Sequence, residues 1–63
     1  MTINEARDNI GEAVTYHPAG GEAEHGTIAA ASSVYVFVQY PGVRGTRATY
    51  PEDLKLVTEV HGD

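Results

Sequence analysis

The chain has 63 residues, no cysteine and a formal net charge of −5, from nine Asp/Glu against four Lys/Arg. A chain of this length makes one domain and buries only about 60% of the surface its unfolded state exposes; without thiols, disulfides, thiolate metal sites and cysteine nucleophiles are excluded. The cations Arg7, Arg44, Arg47 and Lys55 are dispersed along the chain, whereas nucleic-acid binding rests on clustered Lys and Arg that neutralise phosphates.

The first segment reads as a helix over residues 2–10. Thr2-Ile3-Asn4-Glu5 has the form of a capping box, in which hydroxyl and carboxylate each satisfy an orphan amide. Ile3, Ala6 and Ile10 recur at helical spacing, and Gly11 offers a left-handed stop. So short a helix is marginal alone and must dock on an apolar platform. Residues 1–12 carry Glu5, Arg7, Asp8 and Glu12, so the charged-then-apolar layout of a secretory leader is absent.

From Glu12 the period changes to two. Val14 and Tyr16 alternate with Ala13, Thr15 and His17, the pattern of a strand with one buried face. Pro18–Glu22 is a loop, and a second strand is expected over Glu24–Ala31 with Gly26, Ile28 and Ala30 turned inward. Ser32-Ser33 makes a turn. Val34–Tyr40, dense in β-branched and aromatic residues, is the clearest strand. Within it Val34–Val38 is the longest apolar stretch, far below the roughly 20 residues that span a bilayer. Pro41–Gly45 suits a hairpin connection with Pro-Gly at the centre of a type II turn. Thr46–Tyr50 returns as a fourth strand. Pro51–Leu54 has the form of one tight helical turn with proline at its tolerated first position. Lys55–Glu59 closes as a fifth strand, and residues 60–63 form a tail.

These elements predict a mainly β fold, a five-stranded small barrel over residues 11–59 with a short N-terminal helix. Closure would remove the sheet edges that otherwise invite aggregation. The expected core is Val14, Tyr16, Ile28, Ala30, Val36, Val38, Tyr40, Ala48, Leu54 and Leu56.

Over about residues 11–58 the order of elements resembles SH3-like small barrels, including the KOW and Tudor groups and the photosystem I accessory subunit. The residues that carry the likeness are Gly11-Glu12-Ala13-Val14, Gly26-Thr27-Ile28, Val36-Phe37-Val38-Gln39-Tyr40 and Pro51-Glu52-Asp53-Leu54-Lys55-Leu56. The chain is also similar to short uncharacterised bacteriophage and prophage proteins with a similar Pro51–Leu54 ending. The resemblance implies the barrel fold and a small accessory protein acting on a host or viral component. Such barrels serve many unrelated roles, so it implies no activity.

Two surfaces are candidates for contact. If Val36, Val38 and Tyr40 point inward, Tyr35 and Phe37 point outward; either the helix covers them with Ile3, Ala6 and Ile10, or they form a partner or dimer surface. The second is the rim of Tyr16, His17, Tyr50, Glu52 and Asp53, where SH3-like barrels commonly bind and where tyrosines offer rigid contact area with a polar tip. His17, His25 and His61 match no compact ligand motif, so no metal or cofactor is expected. Neither Ser32 nor Ser33 lies in a nucleophile elbow, and a small barrel keeps little interior volume. The expectation is a non-enzymatic cytoplasmic binding module for a protein partner, with homodimerisation open to so small a core. Its alternative is a nucleic-acid-associated barrel that contacts phosphate through Arg44, Arg47 and Lys55.

Overall fold

The computed structural model describes residues 1–57. The end of the expected fifth strand, the tail and His61 lie outside the described residues. Helix α1 (Ile3–Asp8) precedes strands β1 (Ala13–Tyr16), β2 (Glu24–Ala31), β3 (Val36–Gln39), β4 (Arg47–Thr49) and β5 (Leu54–Leu56), with a 3₁₀ turn at Pro51–Asp53. The five strands form one antiparallel sheet in the order β4-β3-β2-β1-β5.

The capping box forms as the sequence dictates. Thr2 Oγ1 accepts from the Glu5 amide at 3.1 Å, and Glu5 Oε1 accepts from the Thr2 amide at 2.9 Å. The helix ends earlier than residue 10, however, with Asn9 as its C-cap. Gly11 does adopt a left-handed φ of 92°, but it serves the turn into β1, where its amide donates to the Ile28 carbonyl. At the other hairpin the Val43 amide donates to the Tyr40 carbonyl at 3.2 Å. Gly42 takes a φ of 77°, as the third position of a type II turn requires.

The sheet is not closed into a barrel. β4 and β5 are its two edges, with no ladder between them among the described residues. The chain crosses from one to the other through the 3₁₀ turn, led by Pro51, which has no amide to offer a neighbouring strand. The sheet nonetheless wraps one core, to which β1, β2, β3 and β5 contribute Val14, Ile28, Val36, Val38, Leu54 and Leu56, joined by Tyr40. At Gly26 a Cβ would lie 2.6 Å from Val38 Cγ1 and 2.9 Å from the Gln39 carbonyl oxygen, so only glycine permits β2 and β3 to pack this closely.

Helix α1 docks into that same core. Ala6 is fully buried within it, and Met1 and Ile3 pack against it. The terminal ammonium of Met1 donates to the carbonyls of Pro51 and Leu54, each at 3.0 Å, tying the start of the helix to the 3₁₀ turn. Ile10 falls beyond the helix and is 49% exposed.

Two inward assignments are corrected, and Tyr16 moves from the core to its margin. Ala30 is exposed because the register shifts between Ile28 and Ala30; the extra residue turns Ala30 to the outer face opposite Phe37. Ala48 is exposed and Thr49 buried, since Thr49 lies opposite the inward Val36 and Ala48 opposite the outward Phe37. Tyr16 is only half-buried, packed against the core from its margin. The third strand is also shorter than its apolar run. Ser32 Oγ accepts from the amides of Val34 and Tyr35 at 3.2 and 2.9 Å, which draws both residues into a turn before β3.

Candidate functional site

Because the sheet stays open, β4 and β1 face one another across a cleft of about 290 Å³. Its walls bring Tyr16 of β1 and Glu24 of β2 towards Tyr40, towards Arg47 and Thr49 of β4, and towards Tyr50 and Asp53 at the 3₁₀ turn. Tyr16 and Tyr40 meet edge to face with ring centroids 6.3 Å apart, a favourable arrangement for aromatic quadrupoles. At the cleft floor the Tyr40 hydroxyl lies 3.5 Å from Thr49 Oγ1, which satisfies the one buried threonine there.

The position of Asp53 is fixed by the backbone. The His17 amide donates to the Asp53 carbonyl at 2.9 Å, which locks the 3₁₀ turn onto the end of β1. Of the rim residues expected from sequence, Tyr16, Tyr50 and Asp53 are thus brought together in one cleft. His17 and Glu52 are exposed and do not line it. The cleft adds Tyr40, Glu24, Arg47, Ala48 and Thr49. Alternation left Ala48 and Thr49 equally placed to turn inward; the approach of Glu24 depends on how far the sheet curls, and no local signal reports that.

The outer face carries the second candidate surface. Helix α1 does not cover it, because Ala6 and Ile3 go to the inner core. Tyr35 is 38% exposed and Tyr50 51% exposed, next to Val34 at 53%. The two tyrosine rings pack with centroids 5.3 Å apart and planes tilted by 41°. They continue the β3–β4 register of Val36 with Thr49 and Phe37 with Ala48. The Tyr35 side chain, first as acceptor for the Tyr50 hydroxyl and then through its charge, raises the Tyr50 phenol above its usual value near 10, with desolvation and the Glu52 charge adding to it. Phe37 is half-buried between Ala30 and Ala48 on the neighbouring strands. Tyr50 belongs to both surfaces, so cleft and platform are continuous.

The cations are not gathered. Arg47 lies on β4 and Lys55 on β5, the two opposite edge strands, and Arg44 sits in the β3–β4 loop. Only Arg47 lines the cleft. His25 is engaged by Thr15 Oγ1 at 3.1 Å across β1 and β2, and among the described residues no three His, Asp or Glu side chains group as a metal site would. No helix among the described residues is long and apolar enough to cross a membrane. Comparisons with protein families, with curated proteins and with solved structures returned no match, so the cleft and the tyrosine platform stand on their own chemistry.

Proposed function

We propose that the chain is a non-enzymatic binding module that engages a protein partner through the cleft and the adjoining Tyr35–Tyr50 platform. The observation that carries this reading is the continuity of the two surfaces through Tyr50, which joins a cleft of mixed polar and apolar walls to exposed aromatic area. Exposed contiguous apolar surface marks interaction sites, and tyrosine is enriched in them. The net charge of −5 favours a partner with a basic face and speeds the encounter. The fold is taken as an opened relative of the SH3-like barrel, and the setting as the cytoplasm of a host cell, with the chain acting as a phage accessory protein. The phosphate-binding alternative through Arg44, Arg47 and Lys55 gains no support from cations set on opposite edges.

Affinity capture from a bacterial host with wild type and Tyr50→Ala tests the proposal. A specific partner should be retained by the wild type and lost from Tyr50→Ala, while the melting midpoint of the variant stays near that of the wild type. Equal capture by both folded proteins would overturn it.

A further inference from the structure

β4 is a free edge. One side of Arg47–Thr49 pairs with β3; on the other, no backbone partner is present among the described residues, apart from the 3.4 Å bond that the Arg47 carbonyl accepts from Thr49 Oγ1. Exposed strand edges are templates for a further strand, and this one runs along the mouth of the cleft. We infer that the edge of β4 accepts an extended segment of the partner as an added strand, and selects one in which basic side chains alternate with apolar ones. This rests on the cleft reading above and specifies its occupant.

The selectivity follows from the period of two. Arg47 and Thr49 lie opposite the inward Val38 and Val36, and Ala48 opposite the outward Phe37. Side chains of a strand laid beside β4 alternate in the same way. Those on the inner side enter the cleft, against Tyr16, Tyr40 and the carboxylates of Glu24 and Asp53. Two carboxylates against the single guanidinium of Arg47 favour a cation there, and the tyrosine faces add to its attraction. Side chains on the outer side lie beside Ala48 and the Tyr35–Tyr50 pair, where apolar groups are favoured. Gly45, with a φ of 72°, and Pro51 bound the edge, so the recognised segment is short.

The probes are synthetic hexapeptides titrated into the isotope-labelled whole chain, with amide shifts and hydrogen exchange as readouts. Acetyl-KVKVKV-amide should bind saturably and protect amides within Arg47–Thr49. Its block isomer acetyl-KKKVVV-amide and the acidic acetyl-EVEVEV-amide should bind at least about tenfold more weakly, since one loses the alternation and the other meets like charge. In a strand, successive amides point to opposite sides. N-methylation of the lysine amides or of the valine amides should therefore abolish binding in one peptide and spare the other. Asp53→Asn and Glu24→Gln should each weaken the parent peptide by about threefold to fivefold, as for an exposed ion pair.

Equal effects of the two methylations, or equal binding of the acidic or block peptide, would overturn strand addition. A dimer in sedimentation that the peptide competes apart would show that the occupant is a second copy, which also overturns it. If strand addition fails while capture still depends on Tyr50, the cleft reading survives. If the peptides bind as described and capture ignores Tyr50, the edge and cleft stand and the Tyr35–Tyr50 platform falls from the contact surface.

Discussion

The inner and outer faces of this sheet are built from similar residues but finished differently. Inside, Val14, Ile28, Val36, Val38 and Leu54 are almost fully excluded from water, and the helix adds Ala6 to them. Outside, Val34, Tyr35 and Tyr50 remain exposed, although an amphipathic helix was at hand to cover them. The helix goes to the inner face because the sheet is open there, and a core this small gains more from a seal than its outer face does. The same opening that admits the helix at one end leaves the cleft at β4. The inner face supplies stability and keeps only the cleft at β4 open to contact, whereas the outer face is left free.

That contrast can be broken by substitution. At about 0.05–0.15 kcal/mol per residue, a domain of 63 residues holds about 3–9 kcal/mol of stability. Ile28→Ala should remove about 2–5 kcal/mol, enough to leave much of the protein unfolded in a denaturant titration; a loss below about 1 kcal/mol would mean that the inner face is not the core. Gly26→Ala comes next at about 1–3 kcal/mol, because its Cβ meets the Gln39 carbonyl, which cannot move without shifting β3. Val34→Ser on the outer face should change stability by at most about 0.5 kcal/mol. A larger loss would show that the outer face is also buried, and with it that the platform is not free for a partner.

The smallest effect concerns the tyrosine pair and is read by pH. Because the folded state raises the Tyr50 pKa above its usual value, it holds the phenolic proton more tightly than the unfolded chain does. The resulting stabilisation is complete below the unfolded value near 10 and is lost as pH rises through the folded pKa. Tyr35→Phe removes the hydrogen bond and the charge that raise it most. The phenolate absorbance of Tyr50 should then appear at lower pH. An unchanged titration would show that the rings are near each other without interacting.

Features carried by a few adjacent residues were legible in the sequence. The Thr2–Glu5 capping box, the Pro41-Gly42 turn and the bounds of β2 each depend on local chemistry that a short window contains. What escaped depends on one residue changing the phase of a pattern, or on distant chain meeting. The extra residue before Ala30 reverses its face, yet nothing in Ile28-Ala29-Ala30 distinguishes a bulge from an alternating strand. Ala48 and Thr49 are both small, so period alone did not say which turns inward. In the candidate site, Tyr16, Tyr50 and Asp53 were found through the likeness to small barrels. Glu24 and Arg47 join them only because the sheet curls without closing.

The place of β1 also bears on the order in which the molecule assembles. β1, β2, β3 and β4 are joined by short connections and pair with their neighbours in sequence, whereas β5 pairs with β1 from the far end of the chain, Leu56 opposite Val14. The contacts from Met1 to Pro51 and Leu54 join the same distant parts of the chain. Loop-closure entropy makes such contacts slow to form, so the meander can nucleate first while β5 and the helix dock afterwards. By the same ordering, the free edge of β4 is present before the inner core is sealed. The surface offered to a partner therefore exists early, and during synthesis or refolding a strand-forming segment could reach it while Leu54 and Leu56 are still exposed.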